Sequence, residues 1–465
     1  MPEASLGSLA AGPRPWLVRL ARLLVRLFFR RIETLGAERV PGEGPLLVVA
    51  NHHNSLVDPA LVLARLPRAP SFLAKSTLWQ MPGLRILLDA AGSIPVYRRQ
   101  DAGEDTSRNQ ESFARCHEVL AAGGAVALFP EGISHDAPRL ASLKTGAARI
   151  ALEAGARFPG LGLRILPVGL VFDAKGKFRS RALLRVGEPF EPRAEQAAFA
   201  ADGVAAARTL TERIRRALEE VTLNYPEAEE PSLLDRASEV WGVSEKPLPA
   251  RMALAEAFRL RQNMIASYAR LRARHPEQVE RVRELATRYE TDLRRLGLRD
   301  DHVAARYPVA SVGLFLAATL SLLLFWLPFA AVGIALNWFP YQLVRLVSLQ
   351  TRSADLPATY KLLGGFLFYP LAWLLEAALA GGLLGPAAAL LVMLLAPASG
   401  YVAMRFHERY EHLIDEAAAY LLRLVRRRSL RELRAERSAL RGELDRLAAL
   451  DRETRAADAR DEEQG

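Results

Sequence analysis

The sequence predicts an α/β domain with a mostly parallel sheet covered by helices at residues 34–220, joined to C-terminal transmembrane helices and a helical linker and tail. Three observations predict it. Short apolar runs alternate with segments of helical period between residues 45 and 221, as in a buried parallel sheet with helical crossovers. Two long apolar stretches, 309–339 and 362–404, contain a single charged residue, Glu376. The segments 222–306 and 405–465 are polar, with the period of helices.

The elements follow in chain order. Residues 16–31 read as an amphipathic helix: Arg19, Arg22, Arg26 and Arg30 share one face, and Trp16, Leu17, Leu20, Leu23, Leu24, Leu27 and Phe28 cover the rest. Such a helix is suited to the headgroup plane of a membrane, with arginine toward anionic lipid; the competing reading is a helix packed on its own domain. Residues 1–33 lack the apolar core and cleavage site of a signal peptide. A turn cluster, Val40-Pro41-Gly42-Glu43-Gly44, leads into a buried strand at 45–50. Further strands are expected at 71–74, 93–97, 125–129, 163–171 and 182–186, with helices at 56–66, 111–121, 144–154 and 203–221.

Residues 221–306 form a helical linker punctuated by Pro231, Pro247, Pro249 and Pro276, with exposed or hairpin helices at 252–274 and 279–296. The region 307–404 holds the membrane spans, since about 20 apolar residues cross the hydrocarbon core. The second stretch is long enough for two crossings, turning near Gly381-Gly382 or Gly385-Pro386, whereas the first, with Pro328, is one tilted span or a tight hairpin. Arginines flank both stretches on every side, which favours two hairpins returning to the cytoplasm. Glu376 sits near a span end and reads as an interfacial residue. In the tail, 405–465, Leu433, Leu440 and Leu447 lie seven apart, but Arg437 interrupts the heptad, favouring a solvated amphipathic helix over a coiled coil.

Half of the 465 residues are hydrophobic and the net charge is +10, carried almost wholly by arginine. A basic chain points to nucleic acid, anionic lipid or an anionic substrate. The arginines are not interleaved with aromatics, so nucleic acid has little support, and the apolar stretches favour lipid. Cys116 is the only cysteine, which excludes an intrachain disulfide and a thiolate metal cluster; within a predicted helix it reads as a core residue. The eight histidines offer no metal-binding pair on one helix face, and there is no phosphate-binding P-loop or dinucleotide fingerprint.

The chemistry concentrates in Asn51-His52-His53-Asn54-Ser55-Leu56-Val57-Asp58-Pro59, directly after a predicted strand. A carboxylate bonded to one ring nitrogen of a histidine fixes its tautomer and supports the imidazolium formed when the other nitrogen takes a proton. That pair is a general base for a hydroxyl. The competing reading is a helix start, with Asp58 capping and Pro59 in the first turn.

This stretch resembles the His-and-Asp signature of the glycerolipid acyltransferase superfamily. Three further blocks follow in the expected order over about 120 residues: Gly92-Ser93-Ile94-Pro95-Val96-Tyr97-Arg98, Phe129-Pro130-Glu131-Gly132-Ile133-Ser134 and Ile165-Leu166-Pro167-Val168. The segments Ser134-His135-Asp136, Leu143-Lys144-Thr145-Gly146-Ala147 and Lys177-Phe178-Arg179-Ser180-Arg181 resemble the fungal-type glycerol-3-phosphate/dihydroxyacetone-phosphate branch, which bacterial proteins share.

The resemblance implies an O-acyltransferase of phospholipid biosynthesis, bound to the membrane with its catalytic domain on the cytoplasmic face, in a bacterial inner membrane. A fatty acyl group would pass from acyl-CoA or acyl carrier protein to glycerol 3-phosphate or a related glycerol phosphate, without a cofactor or metal. Superfamily spacing selects His53 as the base and branch spacing selects His52, so both stand, with Asp58 as the orienting carboxylate. Arg98 is implied for the acceptor phosphate, with Arg99, Lys144 and Arg179 as further cations. Glu131 reads as polar-site architecture that either contacts the acceptor's hydroxyls or caps the loop at Gly132, and the resemblance favours the first, with Gly132 beside it at the acceptor; His135-Asp136 is a candidate second proton-handling pair or else a loop before Pro138. The rival readings are another hydroxyl- or amine-bearing lipid acceptor, and a catalytically silent membrane scaffold.

Overall fold

The computed structural model describes residues 12–81, 83–98, 106–226, 230–242, 252–305, 309–350, 356–425 and 427–464. It divides into two compact units, Met1–Asn224 with Ser348–Leu363, and Tyr225–Val347 with Gly364–Gly465.

Among the described residues, the first unit is built on seven strands: β1 (Arg31–Leu35), β2 (Leu46–Ala50), β3 (Ser71–Lys75), β4 (Ile94–Val96), β5 (Ala125–Leu128), β6 (Arg164–Phe172) and β7 (Arg181–Val186). They form one sheet in the order β1-β7-β6-β2-β5-β3-β4. Every neighbouring pair is parallel except β6 and β7. All five residues of β2 are buried, as a central strand covered on both faces requires. Its side chains alternate between two cores. Leu46, Val48 and Ala50 share one core with α1 (Pro15–Phe28) and α2 (Val57–Arg65). Leu47 and Val49 share the other with α4 (Asn109–Ala121), α5 (Gly146–Arg157) and α7 (Gly203–Glu219). Two short helices, α3 (Leu84–Ala90) and α6 (Arg193–Phe199), complete the unit.

Strand β1 is an addition to the sequence reading, which ran the first helix through residue 31. The helix ends at Phe28 and the polar segment Arg31–Leu35 pairs with β7 alone, as an edge strand. An edge tolerates the charges of Arg31 and Glu33, and those charges hide it from hydrophobic periodicity. Helix α1 is packed on its own domain through Leu17, Ala21, Val25 and Phe28, while Trp16, Leu23 and Leu27 stay exposed. Cys116 is wholly buried, and burial pushes its thiol pKa up to about 12, so it is an inert core residue.

The second unit is helical: α8 (Glu230–Gly242), α9 (Leu254–Arg274), α10 (Pro276–Leu296), α11 (Asp300–Ala304), α12 (Val309–Leu349), the greater part of α13 (Pro357–Leu384), α14 (Pro386–Val425) and α15 (Arg427–Gln464). The α15 tail is not a solvated helix. Leu433, Leu440, Leu444 and Leu447 are buried, and α15 packs on α8, α9 and α10. Arg437, which breaks the heptad, is buried and pairs with Asp300 at 2.9 Å, and Asp300 also accepts the Tyr289 hydroxyl at 2.8 Å.

Among the described residues, three helices are long and apolar enough to cross a membrane: Leu316–Leu349, Pro357–Leu384 and Pro386–Ala417. The second apolar stretch divides at Gly385, whose φ of +95° suits glycine. The first does not divide into two helices: α12 runs as one helix with Pro328 and Pro340 inside it, and neither proline has a glycine neighbour to make a turn. Asn337 ties the three helices together. Its Nδ2 donates to the carbonyls of Gly333 (2.9 Å) and Ala396 (3.2 Å), and its Oδ1 accepts from Trp373 Nε1 (2.9 Å).

Candidate active site

The residues singled out above follow the carboxyl ends of the parallel strands, the usual place for ligands in such sheets. Asn51 leaves β2 and is locked at once. Its side chain exchanges two hydrogen bonds with the backbone of Leu170 in β6, at 3.0 and 2.7 Å, which prolongs the β2–β6 pairing by one residue. The chain then turns through Ser55, a non-glycine residue at φ 43°, into the first turn of α2, which carries Asp58.

Asp58 is fully buried, and its Oδ2 accepts from three groups of one loop: His52 Nδ1 at 2.8 Å, His53 N at 2.7 Å and Asn54 N at 2.8 Å. The bond to a carboxylate places a proton on Nδ1 of His52 and leaves Nε2 as the basic nitrogen. The His52 ring lies flat on Phe129, with centroids 4.1 Å apart. His53 uses Asp58 only through its backbone; its Nδ1 donates to the His135 carbonyl at 3.1 Å. Burial lowers the His53 pKa below the ordinary 6.5, against the opposing pull of Asp58, the His135 carbonyl and Glu131.

Glu131 is buried and spent on architecture. One oxygen accepts from His52 N at 2.9 Å, and the other accepts from Ala141 N at 2.8 Å and from the His135 ring. It therefore ties the His52 loop to the loop after β5, an architectural role in place of the acceptor contact that the resemblance favoured. His135 Nδ1 accepts from Ala137 N at 3.1 Å, and its other ring nitrogen faces Glu131, so the ring links the two ends of this loop. The His135 carbonyl also accepts from Lys175 Nζ at 3.0 Å, and the same ammonium pairs with Asp136 at 2.6 Å. Sequence reasoning missed Lys175; nothing in the local pattern after β6 distinguishes it from a surface charge.

Gly132, at φ +71°, turns the chain beneath two cations. Arg98 Nη1 donates to its carbonyl at 2.9 Å, and the stem of Lys144 runs 3.5 Å from where a Cβ on Gly132 would stand. Lys144 donates its backbone N–H to Pro130 at 2.7 Å and keeps its side chain exposed. His52, His53, Asp58, Arg98, Glu131, Gly132 and Lys144 thus meet in one cluster of loops. Arg179 serves elsewhere: at φ 62° it directs its guanidinium to the carbonyls of Arg26, Leu27 and Phe29 (3.0–3.2 Å), closing the C-terminal end of α1. Arg99 lies outside the described residues. Among the described residues, no group of three or more His, Cys, Asp or Glu side chains is placed to hold a metal ion.

Residues 31–171 match the acyltransferase family model, and residues 246–450 match that of the glycerol-3-phosphate acyltransferase 2 C-terminal domain. An uncharacterized acyltransferase of Schizosaccharomyces pombe is 27% identical over 60% of this chain and 54% of its own length. Glycerol-3-phosphate O-acyltransferase 2 of Saccharomyces cerevisiae is 23% identical over 62% of this chain and 52% of its own. A lyso-ornithine lipid O-acyltransferase of Brucella abortus is 33% identical over 44% of this chain and 84% of its own. The chain thus spans about half the length of the two yeast proteins.

Proposed function

Because the chain belongs to the glycerolipid acyltransferase family, on the branch of the fungal glycerol-3-phosphate enzymes, we propose that it transfers a fatty acyl group from a thioester to the hydroxyl of a glycerol phosphate at the membrane surface. One observation carries the reading: the 2.8 Å bond between His52 Nδ1 and the buried carboxylate of Asp58, which leaves His52 Nε2 as the base. The acceptor hydroxyl gives its proton to Nε2 as its oxygen bonds to the thioester carbonyl carbon. The tetrahedral species collapses by breaking the C–S bond, and the imidazolium returns the proton to the departing thiolate. No covalent acyl-enzyme is required, and no cofactor is invoked. Arg98 and Lys144, converging on Gly132, take the acceptor phosphate. Glu131 and His53 hold the loop rather than the substrate. The catalytic unit faces the cytoplasm, where thioester donors are made, and the exposed Trp16, Leu23 and Leu27 of α1 rest on the bilayer with the arginine face beside them.

A second reading has one observation in its favour, the Brucella relative, whose name gives lyso-ornithine lipid as its acceptor. The two separate in one assay. Purified protein in lipid nanodiscs is given acyl-CoA, or acyl carrier protein bearing the same chain. The acceptors are glycerol 3-phosphate, dihydroxyacetone phosphate, lysophosphatidate, glycerol and lyso-ornithine lipid. Transfer to phosphorylated acceptors, lost with glycerol and with Arg98→Ala, supports the first reading, and transfer confined to lyso-ornithine lipid supports the second. A protein inert toward every acceptor would be a scaffold.

A further inference from the structure

Helix α2 begins without a cap of its own. The first amides of a helix lack intrahelical partners, and the residue at its cap position, Leu56, has no side chain to accept from them. Val57 N, the first helical amide, is accepted by the carbonyl of Asn54 at 2.9 Å, and the amide of Leu56 itself finds its oxygen 303 residues away: Thr359 Oγ1, on the first turn of α13, accepts from Leu56 N at 3.1 Å. The same hydroxyl lies 3.5 Å from the carbonyl of Asn54 and donates toward it. Asn54 and Leu56 flank Ser55, the residue at positive φ, so one hydroxyl bridges the strained corner of the loop that carries His52 and His53 to Asp58.

Two neighbours on α13 reinforce the attachment. Ala358 and Leu362 are buried in the same core as Val57 and Leu61 of α2. Lys361 Nζ donates at 2.8 Å to the carbonyl of Gly176, in the loop whose Lys175 holds the His135 carbonyl. This stretch, 348–363, belongs to the catalytic unit, and its helix continues to Leu384 as a segment apolar enough to cross a membrane.

We infer that Thr359, on the first turn of a membrane helix, is a positioning residue for the general base, bridging Asn54 and Leu56 so that the His52 loop keeps its grip on Asp58. The inference rests on the acyltransfer reading of His52, but its structural half stands without turnover. Two variants of the full chain in nanodiscs, Thr359→Val and Thr359→Ser, separate the hydroxyl from the bulk of the side chain. With Val, kcat for acyl transfer falls about 10- to 100-fold, while KM for both substrates and the thermal midpoint stay near wild type; Ser restores kcat. Hydrogen–deuterium exchange read by mass spectrometry supplies the second measurement. The peptide covering residues 51–58 exchanges faster in the Val variant than in wild type and the Ser variant. Unchanged exchange in that peptide would overturn the positioning role, as would losses of kcat and thermal midpoint that Ser does not repair. Wild-type protein inert toward every acceptor would overturn the acyltransfer reading, whereas the exchange difference would still decide what Thr359 does.

Discussion

His52 and His53 reach the same carboxylate through different atoms, and that difference is why spacing could not choose between them. Asp58 Oδ2 takes the ring of the first and the backbone of the second, so either count from histidine to aspartate describes a real bond. Adjacent side chains leave an extended loop in different directions, and only the folded backbone says which one meets Asp58. His52→Ala should lower kcat for acyl transfer by about 10²- to 10⁴-fold, the usual worth of a general base, whereas His53→Ala should cost less than about tenfold. The reverse order would move the base to His53. His53 also carries a pH signature. Its folded pKa lies below 6.5, so the unfolded chain takes the proton first as pH falls. Stability present above pH 6.5 is therefore lost as pH descends toward the folded pKa. His53→Gln should flatten that slope below pH 6.5 in denaturant unfolding; an unchanged slope would assign it to another group. Arg179 shows where residue type misleads. Arginine suits a phosphate and a bare helix C-terminus equally, and the sequence contains no sign of which lies nearby.

At the scale of elements, the buried strands were the most legible, because β2, β5 and β6 are near-continuous apolar runs. Polar β1 was not, because its charges mask it, and neither were α3 and α6, which at seven residues each are too short to display a helical period. Helix α1 packs on its own domain and keeps a second apolar stripe in the open. Leu17, Ala21, Val25 and Phe28 face the domain, Trp16, Leu23 and Leu27 form an exposed apolar stripe, and Arg19, Arg22 and Arg26 are exposed on a third face. A helix that served only its own core would not need the second stripe. In proteoliposomes, lipids brominated near the headgroup should quench Trp16 fluorescence, read as the difference between wild type and Trp16→Phe. Equal quenching in the two proteins would remove α1 from the bilayer. In α15, the arginine that breaks the leucine heptad is itself a core residue. Arg437→Ala leaves Asp300 buried without its cation and should cost about 3–5 kcal/mol, measured by denaturant unfolding. A loss below about 1 kcal/mol, the scale of an exposed pair, would show that the ion pair is not desolvated.

Across the whole molecule, the order of the sequence blocks was readable while their completion was not. Four motifs within about 120 residues located the site, yet Thr359, Ala358 and Leu362 come from a segment whose own pattern announces only an apolar helix. Nothing local marks a residue whose partner lies 303 positions away. That separation bears on how the protein is made. A ribosome adding about 5–20 residues per second needs some 15–60 seconds to pass from Leu56 to Thr359. During that interval the nascent amino-terminal portion has a gap in its apolar interior and a helix start with a bare amide. Biosynthesis therefore delivers the sheet first and its last wedge only with the start of the apolar helix Pro357–Leu384, so the interior beneath the His52 loop closes late, long after the strands that frame it.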